Sequence, residues 1–148
     1  MEQRNKDSET ISWNALLERA KGRGFLAQQF FAVFTTPVRS FAEVEATLPE
    51  HLKFQIELEA QGIMFAAGPL CDVETDSWNG RGLVVIRADS IETAREIAAA
   101  DPMHKKGVRR FEVIPWLVNE GGFDLRIRYS QMNFAMLPAH SPLSGGVK

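Results

Sequence analysis

The sequence has almost no cysteine, and Cys71 is the single one among its 148 residues. One cysteine excludes an internal disulfide and any cysteine-rich zinc site. The sequence also lacks an apolar run of membrane-spanning length and an apolar segment close to its first residue. We therefore expect a cytoplasmic protein that has no membrane partner.

A strong net charge is absent as well, because 17 basic and 19 acidic residues leave a formal charge of −2. No stripe of Lys and Arg is interleaved with aromatic residues, which argues against a nucleic-acid partner. The short pairs Lys105-Lys106 and Arg109-Arg110 are interpreted as solvated charges beside a turn. Hydrophobic residues make up 45% of the chain and charged residues 24%, an ordinary balance for one globular domain.

The hydrophobic pattern predicts four strands, at residues 28–36, 63–67, 83–88 and 108–118. It also predicts two longer helices, one at 49–61 and one that starts at Asp89-Ser90 and ends at Asp101-Pro102. Pro49 suits a first helical turn, and a separate short turn is expected at 41–46. The order strand, helix, strand, strand, helix, strand predicts an α+β ferredoxin-like fold (βαββαβ) with both helices on one face of an antiparallel sheet.

Three segments are expected along the chain: an N-terminal helical extension (1–27), the ferredoxin-like domain (28–120), and a C-terminal strand with a loose tail (121–148). The extension carries a helical stripe at 11–21 after a frayed start at 1–9. Strict apolar and polar alternation at 123–129 predicts a half-exposed strand. It is either an edge addition to the sheet or an arm that reaches a second subunit. Residues 138–148 are expected to be loose.

The predicted strands are apolar on both faces, as in the first one, where Phe30 and Phe34 alternate with Phe31 and Val33. Two helices cover only one face of a four-stranded sheet. The other face would leave an apolar patch larger than monomers usually expose. We therefore expect a homodimer in which a second copy covers that face, with Phe34 and Trp116 in its core.

Several short motifs follow one another along the domain: His51-Leu52, Gly68-Pro69-Leu70, Asp89-Ser90, Ala100-Asp101-Pro102, Gly107-Val108 and Val113-Ile114-Pro115-Trp116. In this order, over residues 28–118, they resemble the YCII-related family. That resemblance implies the dimeric α/β barrel arrangement and a pocket that contains a His–Asp pair. The pair maps onto His51 and Asp101. One characterised branch of the family eliminates chloride from a chlorinated hydroxyquinol.

The chain departs from a minimal family member at four places. These are its N-terminal helix, the wide loop at 72–82, the extra strand after residue 122, and Met103-His104 where an aromatic residue is expected after Asp-Pro. The departures change the expected shape of the pocket, so the substrate is left open.

A carboxylate bonded to one imidazole nitrogen fixes the tautomer and leaves the other nitrogen to accept a proton. The resemblance therefore implies His51 as a general base and Asp101 as its orienting partner. The function that we expect is a cofactor-free, metal-free lyase or isomerase for a small cyclic or aromatic oxygenated compound, with dehydrochlorinase-like elimination as one form of that chemistry. Two alternatives stay open. In the first, the pair serves only a helix start and an Asp-Pro turn. In the second, the dimer binds a small ligand as a non-catalytic accessory protein.

Three further residues are expected to contact the substrate. Gly68 and Pro69 follow a strand, where glycine permits close approach of the backbone either to a ligand or to helix 49–61. His104 is near enough to Asp101 to reach the pocket rim. Arg81 and Arg110 are either surface charges or contacts for an anionic substrate.

Overall fold

The computed structural model describes residues 10–136, and the predictions for residues 1–9 and 138–148 lie outside that range. The described range holds four helices: α1 (Trp13–Gly22), α2 (Phe41–Ala60), α3 (Ile91–Ala99) and α4 (Pro102–Lys105). It holds six strands: β1 (Gln28–Pro37), β2 (Met64–Pro69), β3 (Gly82–Ile86), β4 (Arg109–Val118), β5 (Leu125–Arg128) and β6 (Asn133–Met136). None of these helices is long and apolar enough to cross a membrane.

Four strands form one antiparallel sheet in the order β2-β3-β1-β4. This order and the intervening helices confirm the ferredoxin-like prediction. Phe31 and Val33 point from β1 toward the helices and pack with Ala94 and Ala98 of α3. Small residues on α3 let the helix lie close to the sheet, so the core forms between the sheet and its helical layer.

The helix that carries His51 is longer than predicted. The sequence predicts a turn at 41–46 and a new helix from Pro49, whereas α2 is continuous from Phe41 to Ala60 and contains Pro49. Its start is set by a capping box, in which Ser40 Oγ accepts the Glu43 N–H and the Glu43 carboxylate accepts the Ser40 N–H. Proline removes one backbone donor, but the turns on both sides of it hold the helix together. His51 consequently lies inside a helix and not at its first turn.

The inward face of α2 also differs from the prediction. The predicted main stripe runs through Leu48, Leu52 and Ile56, yet Leu52 is 52% exposed and Ile56 is 64% exposed. The face that is buried carries His51 and Gln55 together with Val44, Thr47 and Leu58. Polar side chains therefore occupy positions that face the protein interior, where each requires a hydrogen-bond partner.

Asp101-Pro102 begins a helix as well as ending one. The prediction of a simple turn is wrong, because α3 stops at Ala99 and Asp101 becomes the N-cap of the short helix α4. Pro102 takes the first helical position, where its missing N–H costs nothing. Met103 is fully buried with Val44 and Val108, so the residue that departs from the family pattern anchors α4 against α2.

Gly68 and Pro69 lie within β2, although the sequence places them after it. Proline is tolerated there because β2 is at the edge of the sheet, where a strand has one side without a partner.

The segment after the main sheet forms its own hairpin. Strand β5 pairs with β6 in a separate two-stranded sheet, so the alternative of an edge addition is wrong. A three-residue 3-10 turn and Met132, at φ 50°, reverse the chain between the two strands. Pairing across so short a connection closes a much smaller loop than pairing with the main sheet would.

Candidate functional site

The structure brings together two side chains that are fifty positions apart in the chain. His51 Nδ1 donates to the Asp101 carboxylate, 2.8 Å from Oδ2 and 3.0 Å from Oδ1. His51 is 9% exposed and Asp101 is 2% exposed, so water competes little for this hydrogen bond. Helix α2 supplies the histidine and the start of α4 supplies the aspartate. Their meeting therefore depends on the packing of these two helices.

Asp101 has two more partners. Its Oδ1 accepts the backbone N–H of Met103 at 2.8 Å, and its Oδ2 accepts Gln55 Nε2 at 3.0 Å. Gln55 follows His51 by four positions on α2, so both side chains point toward the carboxylate from the same helix face. The cap and the His–Asp contact are thus made by one carboxylate at the same time. Sequence reasoning missed Gln55, although its spacing from His51 was the available signal.

The surroundings keep the Asp101 carboxylate ionised. Burial raises the pKa of this group, but the hydrogen bond and charge of His51, helped by the Met103 N–H, hold the pKa below its usual range. An ionised carboxylate can only accept hydrogen bonds, so the neutral His51 ring must carry its proton on Nδ1. Nε2 is then the ring nitrogen that is left to accept a proton.

A cavity of about 530 Å³ opens beside His51. Helix α2 and strands β2 and β3 provide its walls, which are mostly apolar: Leu48, Leu52, Ile56, Met64, Ala67, Leu83 and Val84. Gly68 and Pro69 also line it, and their contact with a substrate stays a prediction. A Cβ added to Gly68 would meet no atom within 4 Å, so close packing of Gly68 on α2 is wrong.

The burial of Arg109 differs more from the sequence-based expectation than the position of any other residue in the site. It was interpreted as a solvated turn charge, yet it is only 5% exposed and lines the same cavity as His51. Burial lowers the pKa of its guanidinium, and the nearby charge of Asp101 offsets only part of that effect. The signal for its burial was the alternation along β4, where Arg109 shares the helix-facing side with Phe111 and Val113.

The remaining candidate residues are outside the buried contact between His51 and Asp101. His104 is not among the residues that line the cavity; its Nδ1 is 2.6 Å from the Ala98 carbonyl oxygen and its ring stacks on Phe111. Burial lowers the pKa of the His104 imidazole. Arg81 is exposed at the cavity edge, and Arg110 is exposed on the opposite face of β4 from Arg109. Over residues 10–136, no three His, Cys, Asp or Glu side chains cluster in a way that would hold a metal ion.

Comparison with known proteins gives a family and a likeness to a solved structure. A family model described as the YCII-related domain matches residues 29–117. Among solved structures, the chain is similar to 5-chloro-2-hydroxyhydroquinone dehydrochlorinase from Burkholderia phenoliruptrix in complex with 2,5-dihydroxybenzoquinone, with 17% identity and a TM-score of 0.49. This similarity covers 62% of the present chain and 95% of the dehydrochlorinase. No curated protein matches the sequence.

Proposed function

We propose that this chain, which belongs to the YCII-related family, is a cytoplasmic, cofactor-free lyase or isomerase for a small cyclic or aromatic oxygenated compound. In this proposal His51 is the general base and Asp101 orients it. The observation that carries the proposal is the buried hydrogen bond of 2.8 Å between His51 Nδ1 and Asp101 in the wall of an apolar cavity. A histidine held in one tautomer beside a ligand-sized space is suited to proton transfer.

The proposed reaction begins when His51 Nε2 takes a proton from a ring hydroxyl or an acidic C–H of the bound compound. The electron pair left on the substrate then expels a leaving group such as chloride, which departs as the anion. In an isomerisation, the pair instead takes up a proton at another carbon. Asp101 stabilises the imidazolium that forms, because its carboxylate accepts the Nδ1–H throughout.

Gly68 and Pro69 are proposed to form a wall against which the substrate ring lies. Ala67, the residue before Gly68, also lines this cavity and pairs with Val84 on the helix-facing side of the sheet, so Ala67→Val would fill part of the cavity. We expect this variant to raise KM more than it lowers kcat. A contact between His104 and the substrate, expected from its position after Asp101, remains a prediction.

The test of the base is a turnover screen with chlorinated hydroxyquinols and muconolactones. His51→Ala should lower kcat/KM by about 100- to 10,000-fold, the usual contribution of a general base. Lys53→Ala is the matched control, because Lys53 is exposed on the same helix. Circular dichroism and a thermal melt check that both variants fold. Turnover that survives in folded His51→Ala would contradict the proposed base, and binding without turnover by the wild type would indicate an accessory ligand-binding protein.

We further propose that a second copy of the chain covers the open face of the sheet, as the dimeric α/β barrel arrangement requires. Large apolar side chains stand on this face across three strands: Phe34 (37% exposed), Ile114 (42%), Trp116 (44%) and Phe65 (48%). The register pairs Trp116 with Phe30 on the neighbouring strand, and Phe30 is buried. The exposed Trp116 therefore lies beside a buried aromatic side chain on the same face of the sheet. A patch of large apolar side chains on the side away from the helices, bordered on β4 by Glu112 and Arg110, favours a self-complementary, two-fold contact.

Sedimentation velocity at micromolar concentration tests the dimer. The wild type should sediment as a dimer and Trp116→Glu as a monomer, because a charge in the centre of an apolar interface is costly. Val73→Glu is the control, since Val73 is 89% exposed and belongs to the loop between β2 and β3, outside the strands of the sheet. A monomeric wild type would contradict the proposal.

A further inference from the structure

Arg109 is a buried cation without an ionic partner in the part of the chain that the structure describes. It is 5% exposed, and no carboxylate of residues 10–136 lies within ion-pair distance of its guanidinium. Its Nε is buried and has no hydrogen-bond acceptor among residues 10–136. A charge removed from water and left unpaired destabilises the folded state, so such a position indicates that an anion pairs with it during function.

Asp101 is not that anion, although its charge is felt at Arg109. Both carboxylate oxygens already accept hydrogen bonds, from His51, Gln55 and the Met103 N–H. The guanidinium therefore keeps its donors for another acceptor.

Trp78 holds the guanidinium in place on the cavity side. The Arg109 Cζ atom lies 6.0 Å from the centre of the Trp78 ring, within reach of a cation–π contact. The ring is itself fixed, because its Nε1 donates to the Arg81 carbonyl oxygen at 2.8 Å. Trp78, Arg109 and His51 all line the one cavity. A preorganised guanidinium loses less conformational entropy when it binds an anion.

The other charged residues of this cavity are exposed to water, unlike Arg109, and do not offer a desolvated charge to an anion. Glu59 and Arg81 also line it, but both are exposed and carry opposite signs. Their charges are screened by water and roughly offset each other. The remaining walls are mostly apolar, so the cavity presents one desolvated positive group to an otherwise apolar ligand.

We propose that Arg109 binds the anionic oxygen of the substrate, a carboxylate or an ionised ring hydroxyl, and so selects monoanionic cyclic compounds over neutral ones. This inference rests on the proposed function, in which this cavity is the active site. Anion binding itself requires no turnover. With the anion on Arg109, the ring lies against the apolar wall and a neighbouring hydroxyl or C–H can face His51.

Isothermal titration calorimetry with two nearly isosteric probes tests this proposal. 2-Hydroxybenzoate carries a carboxylate, and 2-hydroxybenzamide carries a neutral amide in its place. The wild type should bind the carboxylate about 10- to 100-fold more tightly, the usual range for hydrogen bonds to a charged group. Equal affinities, or no binding of 2-hydroxybenzoate at millimolar concentration, would overturn the proposal without the use of any variant.

Arg109→Met should abolish the preference for the carboxylate, and Arg110→Met should retain it. The two variants remove the same charge from neighbouring positions of β4, one in the cavity and one exposed on the other face. If Arg109→Met does not fold, Arg109→Lys keeps the charge without the fork of donors and should lower the preference severalfold. A preference that is unchanged in a folded Arg109 variant would overturn the assignment.

The two proposals fail separately. Loss of the carboxylate preference in Arg109→Met, together with full turnover in His51→Ala, would leave the anion site standing and remove the proposed base. The opposite pattern, with turnover abolished in His51→Ala and no preference in the wild type, would keep the base and remove the anion site.

Discussion

Replacing Asp101 with alanine removes three hydrogen bonds from the protein interior at once. The carboxylate accepts from His51 Nδ1 at 2.8 Å, from Gln55 Nε2 at 3.0 Å and from the Met103 N–H at 2.8 Å. The aspartate is 2% exposed, so water reaches these donors poorly after the change. Asp101→Ala should therefore destabilise the fold well beyond the loss of a helix cap.

The expected change in the free energy of unfolding is the sum of a lost helix cap and of donors left without an acceptor. Loss of an N-cap at α4 costs about 1 kcal/mol. Each of the two side-chain donors that stay buried without an acceptor costs about 1–3 kcal/mol. Because the groups share one site and relax together, we expect a total of about 3–5 kcal/mol. Asp101→Asn keeps a good cap and one acceptor oxygen but places an amide against His51 and Gln55, so its loss should be about 1–3 kcal/mol.

Urea unfolding at pH 7, followed by tryptophan fluorescence and circular dichroism at one fixed protein concentration, measures these values. Ser90→Ala is the control for an exposed cap, because Ser90 Oγ accepts the Thr93 N–H at the start of α3 and donates to the exposed Thr93 Oγ1. It should lose about 1 kcal/mol. Asp89→Ala, an exposed acidic residue beside it, should change stability by less than about 0.5 kcal/mol. If Asp101→Ala loses no more than Ser90→Ala, the buried network does not contribute and the reasoning is refuted.

Three further outcomes are expected. The pKa of Asp101 is held below its ordinary value of 3.8, so the stability advantage of the wild type over Asp101→Asn should persist at pH 5 and disappear only as the pH falls below 3.8, as urea titrations across pH would report. Burial lowers the pKa of His104 below 6.5, so the unfolded chain takes up a proton at this residue at a higher pH than the folded protein does. The wild type should therefore lose stability from pH 7 to pH 5, and His104→Gln should lose less. Equal losses in the two proteins would contradict this. Gly80→Ala should cost more than about 2 kcal/mol, because φ is +93° and the new Cβ would lie 2.8 Å from Pro37. Gly62→Ala, at φ +71° with no atom within 4 Å, should cost only about 1 kcal/mol in the same assay, and equal losses would exclude the clash with Pro37.

Much of the fold could be predicted because its determinants are local in the chain. Alternation of apolar residues along β1 and β4, a 3.6-residue period along α3, and turn residues between them establish the order of elements. The error at Pro49 came from judging one residue by its commonest position, when the cap at Ser40 had already started the helix. The alternative that residues 123–129 add an edge strand to the main sheet was wrong for another reason. Alternation predicts a strand but does not identify the strand with which it pairs.

The site was predictable only in part. His51 and Asp101 were selected through a family resemblance, and Gly68 and Pro69 entered with them. Gln55 and Arg109 carry polar or charged side chains, residue types that are found in solvent more often than in the interior, and this outweighed the spacing of their positions. Their burial depends on which element lies above them, and that is decided by packing between segments far apart in the chain.

The sequence by itself determined the four strands of the main sheet, their order with the two longer helices, and the presence of an acidic residue at the junction after α3. Each of these depends on neighbours within a few positions. Only the tertiary structure decided that this carboxylate accepts from His51, Gln55 and a helix start together, and that Arg109 lies beside them in the cavity. The physical reason is that hydrogen bonding and desolvation act between groups close in space, whatever their separation in the chain.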